Sequence, residues 1–174
     1  MTMSAASLAA AVAMIAHHAP AHLPAGARLG TMRIPAIALT APVVQGGQTL
    51  YTQPWPKELQ RGPSHYPARR LADGGSIKGA LPWQQGTVGF AGHRTTWTHP
   101  FRRLNELRKG DAVILRTPWA TFWYRVYAMR IVEPSSVWVL TGKAGYRLVL
   151  TACHPPRMAT YRIAVFARLV SATR

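Results

Sequence analysis

The sequence predicts an all-β domain, a closed barrel or sandwich of antiparallel character with one or two short helices. Three observations carry that reading. Short β-type runs recur between turn residues along most of the chain, and only two short stretches hold a helical spacing. Of the 174 residues 48% are hydrophobic, including six Trp, six Tyr and four Phe, which suffices for one real core.

The elements follow in order. The β-type runs are Thr31–Ile37, Pro42–Gln45, Thr87–Ala91, Ala112–Thr117, Thr121–Val132, Tyr146–Ala152 and Tyr161–Val170. Phe101, Leu104 and Leu107 recur at the spacing of one or two helical turns. A second short helix is expected over Leu50–Gln60, broken by Pro54 and Pro56. Ala68–Gly86, which contains Trp83, is Gly-rich and patternless and reads as a long surface loop.

Residues 1–27 stand apart from the domain at 28–174. Ala5–Ala16 is apolar, but shorter than the ~20 residues of a membrane span. It has the length of a signal-peptide core, yet no Lys or Arg precedes it. A weak or remnant membrane anchor is expected, followed by the Pro-broken linker His17–Gly26. A disordered Ala-rich tail is the alternative.

Charge narrows the partners. Twenty-one Lys and Arg face five Asp and Glu, a net charge of +16 that attracts anionic lipid or phosphate-rich wall polymers. The basic residues are spread from Arg28 to Arg174, which gives no nucleic-acid footprint. In Thr121–Arg130, the stretch nearest to an aromatic–basic interleave, Phe122, Tyr124 and Val126 fit a barrel core better. The five carboxylates never cluster and Cys153 is the single cysteine, so neither a calcium site nor a Cys-based zinc site is expected. Nothing calls for a cofactor.

Three residues can together carry covalent acyl transfer. Cys153 follows the run Tyr146–Ala152 and precedes His154-Pro155-Pro156. His93 follows Thr87–Ala91, with Gly92 allowing close backbone approach. Arg162 opens the last run, nine residues after Cys153. Acyl transfer needs a nucleophile, a proton shuttle and a donor for the developing oxyanion, and this trio supplies them without a carboxylate. Papain-like, caspase-like and L,D-transpeptidase signatures are absent around Cys153.

Five strings in order, from about Arg28 to Val170, resemble the sortases, especially class E. They are Met32-Arg33-Ile34-Pro35, Gly62-Pro63-Ser64-His65-Tyr66-Pro67, Gly92-His93-Arg94-Thr95-Thr96 with Pro100-Phe101, Val137-Trp138-Val139-Leu140, and Cys153-His154-Pro155 with Arg162. The resemblance implies an eight-stranded barrel with Cys153 as nucleophile, His93 as general acid and base, and Arg162 as oxyanion and substrate clamp. Thr151, Ala152, His154, Val137 and Trp138 are expected to touch substrate. The implied partners are secreted proteins with a C-terminal sorting signal, and an amine acceptor such as lipid II or a pilin lysine. The implied location is the cell membrane, with the catalytic domain outside. One departure stands out: the family pattern Thr-Leu-x-Thr-Cys is Val149-Leu150-Thr151-Ala152-Cys153 here. A non-catalytic sortase-fold protein binding peptide or anionic wall polymer is the competing reading, and the intact Cys–His–Arg set argues against it.

Overall fold

A computed structural model describes residues 2–52, 57–142 and 144–174. The strands are β1 (Arg28–Ile34), β2 (Leu39–Gln45), β3 (Ser64–His65), β4 (Arg69–Arg70), β5 (Ser76–Ile77), β6 (Gly86–Ala91), β7 (Ala112–Arg116), β8 (Thr121–Val132), β9 (Tyr146–His154) and β10 (Tyr161–Thr173). Eight of them close into a barrel in the order β1-β2-β3-β6-β9-β10-β8-β7, with β7 pairing back onto β1. The expected barrel is therefore present. The pairings β2–β3 and β6–β9 are parallel, and the others are antiparallel.

Alternation along the strands separates two apolar layers. Leu148 and Leu150 of β9 point into the barrel beside Phe90, Phe122, Tyr124 and Val165. Val149 points outward and joins Ile77, Val139, Leu140, Ala164 and Phe166 in a second layer. All six residues of β6 are buried, as expected of a strand covered on both faces.

Several boundaries differ from the sequence reading, each for a local reason. The first strand begins at Arg28 and stops at Ile34, because Pro35 opens a 3-10 turn through Ile37 and Ala38 turns back at φ 53°. β9 and β10 run past their expected ends because they pair with each other, and β10 also pairs along β8. Cys153 and His154 therefore lie within β9 rather than beyond it. The Phe101–Leu107 stretch forms one 3-10 turn, Leu104–Glu106, and buries all three of its apolar residues. Short turns at Thr49–Thr52 and Lys57–Gln60 occupy the ends of the second expected helix, whose Pro54 and Pro56 lie outside the described residues.

The stretch from 68 to 86 is not a surface loop. It carries the β4–β5 hairpin and then sends Leu81 and Trp83 into the core. The Trp83 ring meets Trp119 at 4.8 Å, and its Nε1–H donates to the Pro20 carbonyl at 3.0 Å. A buried indole needs such an acceptor, and the segment before β1 supplies it.

That segment is ordered. Ala5–His18 forms helix α1, capped by the Ser4 hydroxyl, which accepts from the Ser7 amide at 3.2 Å. Val12 and Ile15 are buried in the main core, and the Met3 amide donates to the Val170 carbonyl of β10 at 3.0 Å. Among the described residues no helix is long and apolar enough to cross a membrane.

Candidate active site

The barrel register brings the three candidate residues to neighbouring strand ends. Cys153 and Arg162 stand directly opposite each other in the antiparallel pairing of β9 with β10. Opposed residues have Cβ atoms about 5 Å apart and point to the same face. The parallel pairing of β6 with β9 sets Ala91 level with Thr151, and the Gly92 amide donates to the Thr151 carbonyl at 3.0 Å. Two residues further on each chain stand His93 and Cys153. A parallel register thus delivers the histidine from one side of the cysteine, and an antiparallel one delivers the arginine from the other.

Local packing fixes His93. Gly92 has no Cβ to collide with the Phe101 ring, which lies 2.4 Å from where that atom would be. Phe101 is fully buried, and its amide donates to the His93 carbonyl at 3.0 Å. The pairing of Gly92-His93 with Pro100-Phe101 in the sequence thereby gains a physical reason. Burial lowers the His93 imidazole below its ordinary range, which favours a neutral ring able to accept a proton.

Arg162 is half-buried. Its Nη1 donates to the carbonyls of Ala159 at 2.9 Å and Tyr161 at 3.0 Å, which orients the guanidinium; among the described residues its Nε and Nη2 have no hydrogen-bond acceptor and can serve a ligand. Cys153 is half-buried too, and it is the sole thiol.

Arg162 lines a groove of ≈ 350 Å³ with Thr151, Tyr66, Pro134, Val137 and Leu140. One wall is the connection after β8, which includes Val137. The other wall, with Leu50, Tyr51 and Tyr66, was not assigned to the site from sequence. Tyr66 is held there by a hydrogen bond of 2.9 Å between its hydroxyl and Thr151 Oγ1, and by its amide on the Gly89 carbonyl. Gly89 is needed for this fit, since a Cβ would stand 2.5 Å from Leu140 and 3.0 Å from Tyr66. Burial raises the Tyr66 phenol; the Thr151 bond and then the charge of Arg162 oppose that rise.

The substrate-contact residues expected from sequence fall into two groups. Thr151 and Val137 line the groove. Ala152, His154 and Trp138 do not, and strand alternation is the main reason. Ala152 faces the barrel interior, packed in the core with Leu150 and Ile163, so the missing hydroxyl of the family pattern would have pointed away from the groove. His154, two residues on, borders a separate cleft with Arg94. Trp138 lies on the far side of its turn, stacked on Phe166 at 6.0 Å, and borders another pocket.

A family profile described as "Sortase domain" matches residues 32–170. The chain belongs to the sortase family. It is 30% identical over 162 residues to sortase SrtE1 of Streptomyces coelicolor, covering 87% of this chain and 43% of that one. It is 28% identical over 131 residues to sortase D of Bacillus subtilis, covering 75% and 56%. This sortase therefore spans about half the length of such relatives. Among solved structures, sortase E1 from Streptomyces coelicolor with a tripeptide in the active site superposes with a TM-score of 0.72 at 27% identity, covering 86% of this chain and 93% of that one. Sortase E from Streptomyces avermitilis superposes with a TM-score of 0.67 at 28% identity, covering 87% and 93%. The likeness to class E sortases noted in the sequence strings extends to the fold.

Proposed function

We propose that this sortase is a cysteine transpeptidase acting on the Thr–Gly bond of a C-terminal sorting signal. The observation that carries the reading is the barrel register, which sets Arg162, on the groove wall, opposite Cys153 and brings His93 two residues past the Ala91–Thr151 pair on the neighbouring strand.

The chemistry follows from those three positions. Cys153 Sγ attacks the threonine carbonyl carbon as the thiol proton passes to His93. Negative charge develops on the carbonyl oxygen, and the Nε–H and Nη2–H of Arg162 stabilise it there. His93 returns the proton to the departing glycine amine, the C–N bond breaks, and a thioester on Cys153 remains. An incoming amine loses its proton to His93 and displaces the thiolate, so a new amide forms and the enzyme is restored. Secreted proteins bearing the signal are the donors. Lipid II or a pilin lysine is the acceptor by family resemblance.

The signal is proposed to read Leu-Ala-x-Thr-Gly in preference to Leu-Pro-x-Thr-Gly, lying in the groove between Tyr66 and the 134–140 turn. The two differ by little apolar bulk, so the preference should be modest. The site of action is proposed to be the outer face of the cell membrane, with the +16 charge holding the domain near anionic lipid or wall polymer. Fluorogenic peptides carrying each signal, with and without an added amine, test the assignment. Cleavage and amine-dependent transfer by the wild type, both lost in Cys153→Ala, are expected. Binding of the peptides without turnover would favour the non-catalytic reading instead.

A further inference from the structure

His154 and Pro156, just past Cys153 in the chain, border a cleft of ≈ 690 Å³ that the transpeptidation chemistry does not use. Four arginines (Arg94, Arg102, Arg103 and Arg157) and two histidines (His99 and His154) line it against a single carboxylate, Glu106. That carboxylate is already taken, since Arg103 Nη2 holds Glu106 Oε2 at 2.6 Å.

Arg94 forms the buried part of the lining, only 4% exposed. Its Nη1 donates to His154 Nδ1 at 3.1 Å, and its Nη2 to the Arg102 carbonyl at 3.2 Å and to Asn105 Oδ1 at 2.5 Å. All of these acceptors are neutral. The Arg94 Nε–H is buried and has no acceptor among the described residues. A buried guanidinium without a carboxylate is an electrostatic debt, and burial duly disfavours its charged form. The bond to His154 Nδ1 also puts the imidazole proton on Nε2, so this histidine presents a further donor.

The backbone around the cleft is strained as well. Trp97, His99 and Arg157 have φ of 54°, 33° and 68°, left-handed values that non-glycine side chains rarely adopt. Two of the three line the cleft, and such strain collects where a fold holds a ligand.

We infer that this cleft is an oxyanion site that takes a phosphate or diphosphate group, with Arg94 as its buried cation and Arg102 and Arg157 closing from the rim. Planar guanidinium forks suit phosphate oxygens, and the volume admits a diphosphate rather than a bare halide. The inference does not rest on the thioester chemistry, so it can stand or fall apart from the transpeptidase assignment. A soluble phosphate compound and the headgroup of an anionic lipid both carry the required chemistry.

Calorimetric titration of the whole chain with sodium pyrophosphate tests the site. Because the protein carries +16, the comparison must remove equal charge in two places. Arg102 and Arg157 are exposed, and so are Arg33 and Arg116 elsewhere on the barrel. The Arg102→Ala/Arg157→Ala protein should bind pyrophosphate at least about tenfold more weakly, since it loses two charge-assisted donors. The Arg33→Ala/Arg116→Ala protein should bind as the wild type does. Circular dichroism confirms that both are folded. Equal weakening in the two proteins, or no single-site binding in the wild type, would overturn the inference. Phosphatidylglycerol vesicles that displace pyrophosphate, where phosphatidylcholine vesicles do not, would identify a lipid source. Pyrophosphate that stays bound in their presence would identify a soluble one.

Discussion

Phe101 secures the position next to Gly92 in two ways: its amide donates to the His93 carbonyl at 3.0 Å, and its ring fills the space that a Cβ on Gly92 would need. Gly92→Ala must displace the ring or the strand end, because the two atoms would stand 2.4 Å apart. The expected cost is about 1–3 kcal/mol of stability. The rate should fall mainly in kcat, because the histidine moves while the groove does not. Denaturant unfolding and steady-state kinetics on the signal peptide check both parts.

Tyr66 and Thr151 should behave as a unit. Their hydroxyls share a 2.9 Å hydrogen bond across the groove wall, although they lie 85 residues apart in sequence. Tyr66→Phe and Thr151→Val should each cost about 1 kcal/mol, and the double variant should cost clearly less than their sum. A double-mutant cycle from urea unfolding measures the coupling. Strict additivity would show that the hydrogen bond contributes nothing.

Acid sensitivity should centre on His65. This residue is fully buried, with Nδ1 2.9 Å from Gln45 Oε1 and Nε2 2.9 Å from the Ala80 carbonyl. Burial lowers its pKa to about 4, against an upward pull from the Ala80 bond. The folded state thus binds the proton less readily than the unfolded chain. Stability should be full above about pH 6.5 and should decline as pH falls towards 4, by about 3 kcal/mol in all. Unfolding free energies across that range should show the decline in the wild type and a shallower one in His65→Gln.

Arg162 should not be replaceable by lysine. The substitution keeps the charge but loses the planar fork that binds Ala159 and Tyr161 while leaving other N–H groups for substrate. A fall of about a hundredfold in kcat is expected for Arg162→Lys, in line with loss of an oxyanion donor. A change of only a few-fold would reduce the role of Arg162 to charge alone.

What was legible in the sequence was what depends on local pattern. Thr121–Val132 alternates well enough that its strand boundaries coincide with the expected ones. Cys153 and His93 stood out as candidates because each closes a clear apolar run. Elements made by distant pairing were not visible. β3 is two residues long and exists only because it bridges β2 and β6. That bridge brings His65 to Gln45 and places Tyr66 over Gly89. Trp83 was misplaced for a similar reason, since its indole partner, Pro20, lies 63 residues away. Ala152 was misassigned by reading a string without its alternation: next to Cys153 in sequence means the opposite face in a strand.

The central claim is that Cys153 carries the acyl group. Incubating the enzyme with a Leu-Ala-x-Thr-Gly peptide, followed by rapid acid quench and intact-mass analysis, measures this directly. The account predicts an added mass equal to the peptide up to its threonine, mapped to Cys153 and released as a threonine hydroxamate by hydroxylamine. Cleavage of the peptide with no such adduct, continuing undiminished in Cys153→Ala, would contradict it.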